Sequence, residues 1–189
     1  LNHVNFTDKR IITVTAHRRE NLGDPLRNIC RALKSIANNY TDVEIIYAVH
    51  LNPAVREIAH DILGNIENVH LIDPLGVQDM HNLLAGSYFI MTDSGGLQEE
   101  APSLGKPVLV LRNETERPEA IAAGTVKIAG TEYDSVYNEA CQLLDNQTAY
   151  DKMAKAVNPY GDGFASKRIC ESLLYYYGLR NSKPEEFSL

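Results

Sequence analysis

Several features are missing from this 189-residue chain, and each absence narrows what it can be. No uninterrupted apolar run approaches the ~20 residues that cross a bilayer, so no membrane-spanning helix is expected. The opening Leu1-Asn2-His3-Val4-Asn5 has no basic segment followed by an apolar run, so it does not read as a signal peptide. It also lacks an initiator Met, which suggests a piece of a longer chain. Cysteine is sparse: Cys30, Cys141 and Cys170 are odd in number and widely spaced, which does not suggest a disulfide framework. All three fall in helical patterns beside apolar residues, so the expectation is buried thiols in a reducing cytoplasm. No Cys-x-x-Cys or His-Glu-x-x-His pattern occurs, and no zinc site is expected. Basic residues are outnumbered, 18 Lys and Arg against 25 Asp and Glu, giving a net charge of −7. That balance argues against a surface that coats nucleic acid. The Gly-x-x-x-x-Gly-Lys-Ser/Thr loop of ATPases and the Gly-x-Ser-x-Gly elbow of serine hydrolases are both absent.

What is present is an alternation of strand-like and helix-like segments. Arg10 to Thr15 is β-branched and apolar and reads as a buried strand. Asp24-Pro25 then opens a helix, with Asp24 read as the cap and Pro25 in the first turn. Leu26, Ile29, Leu33, Ile36 and Ala37 recur at helical spacing on one face. Val43 to Val49 is a second strand, and Asn52-Pro53 repeats the cap-and-proline device before a helix stopped by Gly64. Further strands are expected over 68–72, 88–92, 107–111 and 125–128. Helices are expected between them, over 77–85, 97–104 and 118–123. Three more follow, over 133–144, 148–156 and 164–177. Strands separated by helices imply right-handed crossovers and a parallel sheet covered on both faces. The fold class is therefore α/β, a doubly wound parallel sheet. The segment after Gly178 is polar and expected to be mobile.

Open parallel sheets bind ligands at the carboxyl ends of their strands. The strand ends here run into His17-Arg18-Arg19-Glu20-Asn21, His50-Leu51-Asn52-Pro53, Asp73-Pro74, Asp93-Ser94-Gly95-Gly96 and Arg112 to Arg117. Charged and hydrogen-bonding groups converge on one edge, and the basic ones favour an anionic ligand. Ser94-Gly95-Gly96 lies between a strand and a helix. It reads either as a plain tight turn or as a phosphate site, where glycines admit a close approach and the helix start offers free N–H groups. The helix dipole contributes only ~0.3–1 kcal/mol, so arginines must assist, and Arg18 and Arg117 are the candidates. Glu99 and Glu100 read either as acids favoured by the helix dipole or, for Glu100, as a ribose acceptor. His17 is either a satisfied structural residue or a functional one at the ligand edge. His60, His70 and His81 receive no role.

These motifs also carry a resemblance. Thr15-Ala16-His17-Arg18-Arg19-Glu20-Asn21, Val49-His50-Leu51-Asn52-Pro53 and the long run from Thr92 to Pro107 resemble the non-hydrolysing UDP-N-acetylglucosamine 2-epimerases of bacteria. Thr115-Glu116-Arg117-Pro118-Glu119 and Asn158-Pro159-Tyr160-Gly161-Asp162-Gly163 do too, in family order. The resemblance implies a GT-B architecture of two Rossmann-like domains, with this chain the C-terminal one. It implies interconversion of UDP-N-acetylglucosamine and UDP-N-acetylmannosamine by elimination and re-addition of UDP, with no metal or redox cofactor. By motif, Ser94, Gly95 and Gly96 would cradle the pyrophosphate, Glu100 would take the ribose, and Arg117 would serve the nucleotide site. His17 matches a histidine implicated in catalysis. Arg18, Glu20 and His50 match residues that touch a second, regulatory UDP-N-acetylglucosamine. Met80 stands where an aromatic often lies near the uracil.

The same resemblance divides the chain into a linker remnant over 1–8, a UDP-binding domain over 9–178 and a polar tail over 179–189. Its acid and base carboxylates would belong to the absent N-terminal domain, so the chain alone is expected to bind UDP and not to epimerise. The expected partners are UDP, a UDP-N-acetylhexosamine, that missing domain and, when whole, a second subunit in a cytoplasmic homodimer. Competing readings are a GT-B glycosyltransferase donor domain, a hydrolysing 2-epimerase and a non-catalytic nucleotide-binding module.

Overall fold

The computed structural model describes residues 6–187. Six parallel strands form one sheet: β1 (Arg10–Thr15), β2 (Val43–Ala48), β3 (Val69–Ile72), β4 (Phe89–Thr92), β5 (Val108–Val110) and β6 (Val126–Ile128). Their order is β3-β2-β1-β4-β5-β6. The chain steps outward from β1 to β3, then returns to build β4 on the other side of β1. A crevice therefore opens between β1 and β4, where such sheets bind ligands.

The strands are apolar on both sides because helices cover both sides. Ile12, Val14, Ile45, Tyr47, Phe89 and Met91 face one large cluster, shared with α1 (Asp24–Asn39), α2 (Pro53–Leu63) and α6 (Tyr133–Asp145). Ile90, Val108 and Val110 face a second cluster with Leu84 of α3 (Val77–Gly86), Leu97 and Ala101 of α4 (Gly95–Ser103), and Ala120 of α5 (Pro118–Ala123). Ile29, Leu33 and Ile36 of α1 are fully buried. Each would cost ~2–5 kcal/mol on truncation to Ala.

Helix starts follow the sequence with local corrections. Asn52 caps α2, accepting the Ala54 N–H at 3.1 Å. α1 is capped by Gly23, at φ +87°, and Asp24 is its first helical residue rather than its cap. Only glycine takes that left-handed backbone readily. Gly64 does not end α2 in a left-handed turn, since its φ is −62°. Its missing Cβ matters instead, because one would lie 2.5 Å from the His60 carbonyl oxygen.

Two larger differences concern packing. Of the three cysteines only Cys30 is buried; Cys141 is half-buried and Cys170 is exposed. Cys170 lies on α8 (Ala165–Tyr176), which follows α7 (Gln147–Ala154) and buries none of its residues. Its apolar residues recur at helical spacing, but Ile169, Leu173 and Tyr176 face solvent, the last 80% exposed. Periodicity reports which face is apolar, not whether this chain covers it. The segment after Gly178 runs back along α8. Arg180 pairs with Glu171 at 2.7 Å, and the Arg168 Nε–H donates to the Glu185 carbonyl at 3.1 Å. No helix among the described residues is long and apolar enough to cross a membrane.

Candidate nucleotide site at the β1–β4 crevice

The crevice is organised by a residue to which the sequence assigns no role. Asp93 follows β4 and is fully buried. Its Oδ2 accepts the backbone N–H groups of His17 and Arg18, each at 2.7 Å, and the Asn21 side-chain amide at 3.0 Å. Asn21, also buried, donates to the Leu111 carbonyl at 2.9 Å. Charge-assisted bonds of this kind are about twice as strong as neutral ones. One carboxylate thus pins the loop after β1 against the ends of β4 and β5. Thr15 and Thr92 hydroxyls, 2.6 Å apart, tie the same strands together below it.

α4 begins two residues after Asp93, and earlier than its apolar pattern suggests. Gly95 and Gly96 form its first turn rather than a preceding loop. Ser94 is the cap, but its side chain makes no capping hydrogen bond. The first amides of α4 therefore lack a side-chain acceptor from their cap, as an incoming anion requires. Neither glycine has a positive φ, so the backbone does not demand them. In a helix each costs ~0.5–1 kcal/mol relative to Ala. Their use lies in what surrounds them. A Cβ on Gly95 would stand 3.5 Å from Nη2 of Arg117 and 3.9 Å from Nη2 of Arg18. Two guanidinium groups, one from the β1 loop and one from the start of α5, thus converge on the same glycine.

Each arginine is held in place. Arg18 Nε donates to the Asp93 carbonyl at 3.2 Å. Arg117 Nε pairs with Glu99, and this contact is the main cause that raises the Arg117 pKa above its ordinary value. The loop that carries Arg117 is fixed through buried Gln98. Gln98 Oε1 accepts the Thr115 hydroxyl at 2.6 Å, and that hydroxyl oxygen accepts the Arg117 N–H at 3.1 Å. Tyr160 packs against the α4 cluster, as does Met80, and burial pushes the Tyr160 phenol up.

The expected site residues fall into two groups. Ser94, Gly95, Gly96, Glu100, Arg117 and Arg18 gather around the start of α4. Glu100, one turn beyond Gly96, has Oε1 3.6 Å from where a Gly96 Cβ would stand. Its Oε2 lies 2.9 Å from His81 Nε2, a histidine given no role by the sequence. His17 and His50 form the second group, their rings stacked with centroids 5.1 Å apart. The His50 Nδ1 accepts the Asn52 N–H at 3.1 Å. Glu20 is turned to Arg112, at 2.5 Å. Burial opposes the charge on Arg112, but Glu20 and Glu116 outweigh it and raise its pKa. Arg18, grouped by motif with Glu20 and His50, also faces the glycine turn with Arg117.

Comparison with known proteins identifies the family. Residues 1–174 match the family model described as UDP-N-acetylglucosamine 2-epimerase. The UDP-N-acetylglucosamine 2-epimerase of Bacillus subtilis is 56% identical over 181 residues, 96% of this chain and 48% of that protein. Among solved structures, a Staphylococcus aureus protein determined with UDP superimposes with a TM-score of 0.91 at 52% identity, over 97% of this chain and 50% of that one. The Neisseria meningitidis UDP-GlcNAc 2-epimerase bound to UDP-GlcNAc gives 0.84 at 48% identity, over 88% of this chain and 45% of that one. The chain thus spans about half the length of the relatives it matches, in keeping with the C-terminal unit of a two-domain GT-B enzyme. With its Rossmann-like sheet and this coverage, the chain belongs to the UDP-N-acetylglucosamine 2-epimerase family.

Proposed function

We propose that this chain is the UDP-binding half of a non-hydrolysing UDP-N-acetylglucosamine 2-epimerase. One observation carries the reading: Arg18 and Arg117 converge on Gly95 at the start of α4, whose cap residue leaves the first amides without a side-chain acceptor. That combination suits a diphosphate. The Staphylococcus aureus relative solved with UDP supports it.

In this scheme the diphosphate lies against Ser94, Gly95 and Gly96. Glu100 accepts the ribose hydroxyls, and His17 serves the reacting sugar. A base removes the proton on the acetamido-bearing carbon while the anomeric carbon–oxygen bond breaks. UDP departs with the bonding pair, leaving a glycal. A proton returns on the opposite face and UDP re-adds, so atoms and electrons balance without a metal or redox cofactor. Departure puts growing negative charge on the diphosphate, where fixed amides and guanidinium groups stabilise it most. Glu20 and His50 stand nearby as residues for a second, regulatory sugar nucleotide.

The acid and base carboxylates belong to the half that this chain lacks. The solvent-facing apolar residues of α8 support a partner of that kind, since Ile169, Leu173 and Tyr176 gain by being covered. The division is then a UDP-binding unit over 9–178 between a linker and a tail, working as a cytoplasmic homodimer when whole. The test is incubation with UDP-N-acetylglucosamine in heavy water. A two-domain protein with this half should form UDP-N-acetylmannosamine and place deuterium on the acetamido-bearing carbon, while the 189-residue chain alone should do neither. Sugar transfer to an added acceptor without such exchange would overturn the epimerase reading, and turnover by the chain alone would overturn the division of labour.

A further inference from the structure

His81 and Glu100 meet across two helices that the sequence separates by a strand. Nε2 of His81, on α3, lies 2.9 Å from Oε2 of Glu100, on α4. The other carboxylate oxygen reaches back toward Gly96. Glu100 is therefore oriented at both of its oxygens, one over the first turn of α4 and one on a histidine of the neighbouring helix. Left alone, it would be a poor ligand. Both side chains are about half exposed, and an unrestrained glutamate in water samples many rotamers. It would also be repelled by the anion proposed to bind one turn away. His81 itself rides on a fixed support, because Leu83 and Leu84 of α3 are buried and Met80 packs against the α4 cluster.

We infer that His81 is a positioning residue for nucleotide recognition. Its Nε2–H donates to Glu100 Oε2 and holds the carboxylate turned toward the ribose, ready to accept the two vicinal hydroxyls. The pair thereby sets the preference for a ribonucleotide over a sugar that lacks those hydroxyls. This rests on the proposal that the crevice binds UDP, and it adds a residue and a specificity to that proposal.

The test compares the chain with H81L and H81Q, titrated calorimetrically with UDP and with 2′,3′-dideoxy-UDP. Leu keeps the bulk and removes the donor, while Gln restores an amide donor near the position of Nε2. H81L should weaken UDP about two- to fivefold, the range of a partly exposed charge-assisted contact, and leave dideoxy-UDP unchanged. H81Q should recover most of the loss. Thermal melts that match the parent chain establish that the variants fold. Equal weakening of both ligands by H81L would reduce His81 to a general structural role and overturn the inference. So would no change in either. If the parent chain binds UDP and dideoxy-UDP equally well, the diphosphate site stands and the ribose role of the pair falls. If it binds neither, the UDP reading falls and the inference goes with it.

Discussion

The crevice between β1 and β4 and the surface of α8 are both places where the chain departs from a well-packed interior, and they depart in opposite ways. The crevice gathers polar groups and fixes several of them with partners inside the chain, while Asp93 Oδ1 and the Tyr160 hydroxyl lie buried without one among the described residues. Asp93 takes three donors, Gln98 holds the Thr115 hydroxyl, and each arginine over Gly95 has an acceptor. α8 gathers apolar groups and leaves them in water. A site whose geometry is set by partners within the chain can bind its ligand without help. A helix with an uncovered apolar face needs something from outside. The proposed function draws on this contrast, assigning the nucleotide to the crevice and a partner to the open face of α8.

Within the crevice, the largest effect should come from Asp93. Asp93→Ala removes the acceptor of three donors and should destabilise the chain by ~2–4 kcal/mol in urea unfolding. Loss below ~1 kcal/mol would show that the β1 loop is held by something else.

At the glycine turn, Arg117→Ala removes a charge-assisted contact worth ~1.5–3 kcal/mol, so UDP should weaken roughly tenfold to a hundredfold. Ser94→Ala should cost ~1 kcal/mol or less, because the amides survive it. Equal losses by calorimetry would erase the distinction between cradle and clamp. Gly95→Ala separates stability from binding more sharply. In a helical turn it should leave the melting temperature unchanged or raise it. The added methyl should still weaken UDP about tenfold by standing between the two guanidinium groups. A variant that bound UDP normally would mean the anion lies elsewhere.

On α8 the expected effects are small. Leu173→Ala should change the stability of this chain by less than ~1 kcal/mol, against ~2–5 for Leu33→Ala in α1. Thiol chemistry draws the same contrast without loss of stability. Cys170 should be alkylated quickly at pH 8. Cys30, whose thiol burial pushes up to about 12 despite the opposing pull of Arg27, should react only when the chain unfolds. Equal labelling rates in the native chain would contradict the packing described for both helices.

The fold was legible in the sequence because its signals are local. Every strand and helix announces itself by period and by punctuation, as with Asn52-Pro53 before α2 and Gly124, at φ +80°, after α5. The ligand edge followed from topology, since crevice residues are whatever succeeds the strands. Local signals mislead where the deciding fact is elsewhere in space. Gly95 and Gly96 look like a loop because glycine is a poor helix former, yet they begin a helix whose cap leaves room for a ligand. The role of Asp93 depends on amides 75 and 76 residues away. An acid directly after an apolar strand was the one hint available. His81 sits on α3 and gains its meaning only when α4 packs alongside. The exposure of Cys170 and of Tyr176 reflects a face left open, which periodicity cannot report.

The most direct test of the central claim is a calorimetric titration of the chain with UDP, with uridine as the control. The account predicts binding of UDP and none of uridine at the same concentrations, because the affinity resides in the diphosphate held at the start of α4 by Arg18 and Arg117. Equal binding of the two, or binding of UDP undiminished in Arg117→Ala, would contradict it.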